Sequence, residues 1–127
     1  MAANAQFAAS PVNAAALVSV ANTARDGTGT IVTLYTAPAS GARVDDIWCK
    51  AKSTTTAGML RFWLHDGATF RLLREILVTA ITPSGTVASW ETFLSNLGIV
   101  LQSGWSIRVS TNNAESFDIS VTKAGTF

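Results

Sequence analysis

Apolar and polar residues alternate along much of this chain with a period of two, the spacing of a β-strand that buries one face. Within Arg43 to Lys52, Ile47, Cys49 and Ala51 share one face and Trp48, Lys50 and Lys52 the other. Met59 to His65 repeats the pattern, with Leu60, Phe62 and Leu64 set against Met59, Arg61, Trp63 and His65, and the first set is expected in the core. Trp105, Ile107 and Val109 alternate with Ser106, Arg108 and Ser110, and Phe117, Ile119 and Val121 with Asp118, Ser120 and Thr122. Further strands are predicted for Ala16 to Val20, Ile31 to Thr36, Phe70 to Val78, Val87 to Leu94 and Ile99 to Leu101. In Phe70 to Val78 the adjacent Leu72 and Leu73, followed by Arg74-Glu75, break the parity, which a β-bulge would reconcile.

Turn residues separate these segments. Asn22 to Gly29 contains glycines and Asx residues suited to positive φ, and Pro38-Ala39-Ser40-Gly41, Thr54 to Gly58 and Pro83-Ser84-Gly85 mark further breaks. Asp66-Gly67 is the strongest hairpin signal in the chain, so the strands on either side of it should pair. Asn96-Leu97-Gly98 suits a short helix or a kinked strand. About eight strands with a turn every ten residues or so predict an all-β, antiparallel β-sandwich with jelly-roll-like topology; an immunoglobulin-like sandwich is the competing arrangement.

Residues 1–13 hold Ala, Asn, Gln and Ser around one Phe7 and one Pro11, too little bulk for a core of their own. They are expected to form an extended N-terminal arm with Phe7 as its anchor, ahead of one sandwich domain over 14–127; an ordinary frayed terminus is the plain alternative.

Composition narrows the function classes. The chain is 48% hydrophobic and 13% charged, fewer charges than an ordinary soluble surface carries, so part of its neutral surface is expected to meet a partner. Nine basic and eight acidic residues are scattered singly and in pairs, giving +1 and no electrostatic footprint for nucleic acid or anionic lipid. No apolar run approaches the ~20 residues of a membrane-spanning helix. No Lys or Arg precedes Arg25, so the basic start of a secretory signal is missing and a soluble protein that stays where it is made is expected.

Catalytic and ligand-binding candidates are few. His65 is the single histidine, and beside Asp66-Gly67 it reads as a turn residue bonded to nearby backbone rather than as an acid-base group. Adjacent Asp45 and Asp46 point to opposite faces of a strand and belong to no metal-binding loop. Asp26-Gly27-Thr28-Gly29 lacks the Lys-Ser/Thr of a phosphate loop and reads as a turn. Cys49, the only cysteine, reads as a small buried hydrophobe. No cofactor, no metal and no enzymatic activity are expected.

The four tryptophans carry the remaining signal. Trp105 shares a face with Ile107 and Val109 and is expected to be buried. Trp48 and Trp63 share faces with Lys50, Lys52 and Arg61, so Trp48, Lys50, Arg61 and Trp63 are expected to form a surface strip that a lone monomer would not leave in water, which predicts self-association. A carbohydrate platform is the alternative use of such tryptophans.

The opening Met1 to Phe7, the Arg25-Asp26-Gly27-Thr28-Gly29-Thr30 loop, the Thr54 to Met59 turn and the stretch from His65-Asp66-Gly67 to Arg71-Leu72-Leu73-Arg74-Glu75 resemble small structural proteins of tailed bacteriophages and prophages. The likeness runs along most of the chain. Among such proteins of known role, it resembles in size and sandwich character the capsid cement or decoration proteins. That resemblance implies a virion protein made in the host cytoplasm and placed on the outer capsid surface, commonly as a homotrimer, where it clamps neighbouring major capsid protein subunits. It carries over no functional residue. A tail, baseplate or fibre-associated virion protein is the alternative within the same class.

Overall fold

The computed structural model describes residues 9–127; Phe7 and the rest of 1–8 lie outside the described residues. Nine strands follow in order: β1 (Ser10–Val18), β2 (Val32–Thr36), β3 (Ala42–Ala51), β4 (Gly58–His65), β5 (Phe70–Val78), β6 (Glu91–Leu94), β7 (Ile99–Leu101), β8 (Ser106–Thr111) and β9 (Phe117–Thr126). One sheet runs β1-β9-β3-β6, with β7 also paired to β3, and the other runs β2-β8-β4-β5. Pairing is antiparallel and nested: β4 with β5, β3 with β6 and β7, β2 with β8, and β1 with β9. The chain is therefore one long hairpin rolled into a sandwich, the jelly roll expected from the turn spacing and not the immunoglobulin arrangement.

The innermost hairpin turns at Asp66-Gly67. Asp66 Oδ1 accepts from Ala68 N and Thr69 N at 3.0 and 2.9 Å, and Gly67 adopts φ +99°. Next outward, β6 and β7 are two pieces of one strand against β3, parted by Asn96 (φ 55°) and Gly98 (φ 60°). The break docks on β3, where Leu97 N donates to Asp45 O at 2.8 Å and Asn96 N to Asp46 Oδ1 at 3.1 Å. The expected kink at Asn96-Leu97-Gly98 is thus present as a strand break.

The core follows the alternation read from the sequence. Ile47, Cys49 and Ala51 from β3, Leu60 and Phe62 from β4, Ile107 and Val109 from β8, and Phe117, Ile119 and Val121 from β9 are all buried between the sheets. Each large apolar side chain among them contributes about 1.5–3 kcal/mol by leaving water. Trp90 closes one end, edge-on to the Phe117 ring at a centroid distance of 5.7 Å. Trp105, expected to be buried, packs against the same core but is only partly buried.

Two boundaries differ from expectation. The first strand begins at Ser10, inside the segment assigned to an arm, because the sheet rather than local propensity makes it a strand. A lone Val12 among Ser, Pro, Asn and Ala does not announce a strand, yet Val12, Ala14 and Ala16 pack against the core; Pro11 is tolerated because β1 is an edge strand. Asn13 sits at the register shift between Val12 and Ala14, its Nδ2 donating to Val121 O at 3.1 Å. The strand predicted from Val87 is shorter, beginning at Glu91, because Ser84 N and Val87 O close a turn at 2.9 Å.

Candidate protein interface

The outer face of the β1-β9-β3-β6 sheet carries an aromatic ridge. Trp48 on β3 and Phe93 on β6 are register partners whose rings stack at 4.2 Å between centroids and 19° between planes. They remain 41% and 42% exposed. Side chains on neighbouring strands rise about 4.8 Å apart, so rings this nearly parallel turn their faces toward each other and their edges to solvent. Registers extend the row to Ser120 on β9 and Ala15 on β1. The next row on the same face holds Leu17, Asp118, Lys50 and Glu91. Lys50 Nζ lies 2.7 Å from Glu91 Oε1 and 3.2 Å from Ser89 O, an exposed pair beside the ridge. Such a pair adds little to stability and sets the polarity of the ridge's rim.

Arg61 and Trp63 are not part of this surface. They lie on β4, in the other sheet, and are 2% and 1% exposed. Their parity is as read, away from the intersheet core, but that outer face is covered. The loop between β1 and β2 folds back over it: Ala21 bridges to Thr111, Arg61 Nη1 donates to Asn22 O at 3.2 Å, and Arg25 Nε reaches Glu75 Oε2 at 2.7 Å. Asn22 fastens the loop, its Nδ2 donating to Thr28 O and Thr30 O and its Oδ1 accepting from Ala24 N. Gly27 (φ +90°) rests so close to Phe70 that a Cβ there would lie 2.9 Å from the Phe70 Cβ. Beneath the loop, Trp63 Nε1 donates to Ser110 Oγ at 3.0 Å and its ring meets Phe70 edge-on. The expected Trp48–Trp63 strip is corrected to two separate features, an exposed Trp48–Phe93 ridge and a second, buried Arg61–Trp63 cluster.

The chemical candidates take structural roles. His65 Nδ1 accepts from Gly67 N at 3.2 Å and its ring tilts over Phe70. Asp26 Oδ1 accepts from Thr28 N and Thr28 Oγ1, which closes the Asp26–Gly29 turn and draws the Asp26 carboxyl below its usual range. Asp45 is buried with its Oδ1 3.1 Å from Arg43 Nε. Among the described residues no three His, Cys, Asp or Glu side chains gather as a metal site. Burial pushes the Cys49 thiol up to about 12, so it is protonated and unreactive at neutral pH.

One feature is not apparent from the alternation alone. β5 is an edge strand on which Leu72, Leu73 and Leu77 are 39%, 44% and 61% exposed. A register shift opposite Phe62 and Trp63, where Arg74 and Leu72 are the partners, makes Leu73 the extra residue of a bulge. Beside it opens a cleft of about 210 Å³ between the sheets, lined by Ile47, Phe62, Leu94, Leu97, Ile99 and Ile107 together with Leu73 and Arg74. The Leu72-Leu73 doublet is the sequence signal for this feature.

No family model matches the chain, and no curated protein matches it. Among solved structures, it aligns with a chain of the cyanophage Pam1 capsid asymmetric unit at a TM-score of 0.48 and 19% identity, over 98% of this chain and 96% of that one.

Proposed function

We propose that this protein is a structural component of a tailed-phage virion, a cement or decoration protein that binds the outer head surface and clamps neighbouring major capsid protein subunits. The observation that carries this reading is the stacked Trp48–Phe93 ridge, a large aromatic surface left half in water on the flat outer face of a sheet. Aromatic residues in that setting are the usual anchors of protein interfaces. The resemblance to small phage structural proteins supplies the partner. Phe7, Trp48 and Lys50 are the contact residues of this reading, with Phe93 joining them; Arg61 and Trp63 support the domain from within.

A clamp of this kind acts by mass action. It binds the assembled shell and not dissociated subunits, so it raises the free energy of dissociation without a covalent step. Repetition over a symmetric shell, and a homotrimeric clamp with three such ridges, makes a modest single contact adequate. The stacked geometry weighs against a sugar platform, because a pyranose ring packs on an aromatic face and each of these rings has turned one face to the other.

The test is solution mass by light scattering followed by co-sedimentation with heads that lack the protein. A trimer that pellets with heads supports the proposal. A monomer that stays in the supernatant refutes it.

A further inference from the structure

We infer that the open side of the sandwich is a strand-addition site that takes an extended segment of a partner protein carrying a large apolar residue and, two positions along, a carboxylate. This surface is separate from the Trp48–Phe93 ridge and does not depend on what that ridge meets.

Three features converge here. The sheets come together where β1 faces β2 but make no comparable approach between β5 and β6 or β7, which leaves the interior accessible through the cleft. Among the described residues β5 pairs only with β4, so the backbone N–H and C=O groups of its other edge are available to an added strand. Finally, Arg74 lines the cleft and Arg71 lies on the same side of β5, opposite Leu64, while the cleft walls are otherwise apolar.

Natural proteins guard edge strands with charges and bulges, and Arg71, Arg74 and the Leu73 bulge serve that end. A merely guarded edge, however, does not need Leu73 in water at the mouth of an unfilled apolar cleft. An added strand would cover Leu73 and seat one of its inward side chains between Phe62, Leu94 and Ile99. Its next inward side chain, two residues away, falls beside Arg74, whose guanidinium is best met by a carboxylate. Main-chain bonds along β5 would supply affinity and the two side chains selectivity, as in other strand-addition complexes. A basic or uniformly polar segment would leave the cleft empty and bring like charges together.

The experiment is a titration of the isotopically labelled full chain, followed by backbone amide and methyl NMR, with the blocked heptapeptide Thr-Glu-Thr-Leu-Thr-Val-Thr. The expected result is a dissociation constant on the order of 0.1–1 mM, with shifts confined to Phe70 to Val78 and to the methyl groups of Leu94, Leu97 and Ile99. Arg74→Glu should weaken binding about tenfold, and replacing the peptide's Glu by Lys should restore it. The mutant's unperturbed spectrum elsewhere checks that it is folded. No shifts at millimolar peptide, shifts centred on Trp48, or equal binding of the Lys peptide to the unaltered chain would each overturn the proposal. So would concentration-dependent shifts of the β5 amides without peptide, which would make a second copy the occupant. Octanoate that fills the cleft while the peptide leaves the β5 amides unmoved would reassign the site to a small amphiphile.

Discussion

Arg61 and Glu75 are register partners across β4 and β5, with Arg61 Nε 2.9 Å from Glu75 Oε2 and the arginine almost wholly buried. Asn112 Oδ1 accepts from both Nη atoms, and Asn22 O completes the guanidinium's shell. Glu75 also holds Arg25, so one carboxylate joins the β1–β2 loop to the sheet it covers. A charge buried this way is tolerable only while its partners are present. Replacing Arg61 by Ala leaves Asn22 O and Asn112 Oδ1 without their donor and opens a space, while Glu75 keeps Arg25, and should cost about 1–3 kcal/mol in urea unfolding. A loss under about 1 kcal/mol would show that the loop closes over the gap.

Glu75 gives the same cluster a pH dependence. Hydrogen bonds from Arg25 and then Arg61 hold its carboxyl below the ordinary glutamate range. A lowered native value means that the stabilisation is fully present above the ordinary glutamate pKa and is lost as pH falls through the lowered one. Thermal unfolding of the unaltered chain and of Glu75→Gln should therefore differ near neutrality and converge in acid. A constant difference across the range would contradict this assignment.

Phe62 on β4 and Ile107 on β8 lie on neighbouring strands of one sheet, both line the cleft, and they are 2% and 0% exposed. Phe62→Ala should cost about 3–5 kcal/mol and Ile107→Ala about 2–5 kcal/mol, read from denaturant midpoints at unchanged slope. The open cleft lets neighbours relax into the Phe62 space, so the lower end of its range is expected.

Cys49 offers a probe of opening. With its thiol fully buried and its pKa raised to about 12, it should react with an aromatic disulfide reagent only through unfolding, at a rate that rises with denaturant. Rapid stoichiometric labelling of the native protein would place it on an accessible path.

Much of the sandwich is legible where local pattern and global fold agree. The alternation of Ile47, Cys49 and Ala51, the Asp66-Gly67 turn and the Leu72-Leu73 bulge each belong to a few neighbouring residues, and each is where the pattern puts it. Trp63 shows where local reading fails. Its face is assigned correctly, but whether that face meets water depends on a loop some forty positions earlier in the chain, folded over it through Asn22 and Gly27. The Arg61–Glu75 pair is hidden for the same reason. Only the last three residues of β1 fall in a predicted strand; its start at Ser10 is not legible, because Ala14 and Ala15 have little strand preference and are held by the register of β9. Trp48 was identifiable from its polar neighbours, whereas Phe93 enters the ridge only through the pairing of β3 with β6.

The most direct test of the clamp is the temperature at which DNA-filled heads lacking this protein release their DNA, measured with a DNA-binding dye before and after the purified protein is added back. The unaltered chain should raise that temperature, and a Trp48→Ala/Phe93→Ala double variant, still folded because its ridge lies outside the core, should not. Bound protein that leaves the release temperature unchanged, or a double variant that protects as well as the unaltered chain, would contradict the account.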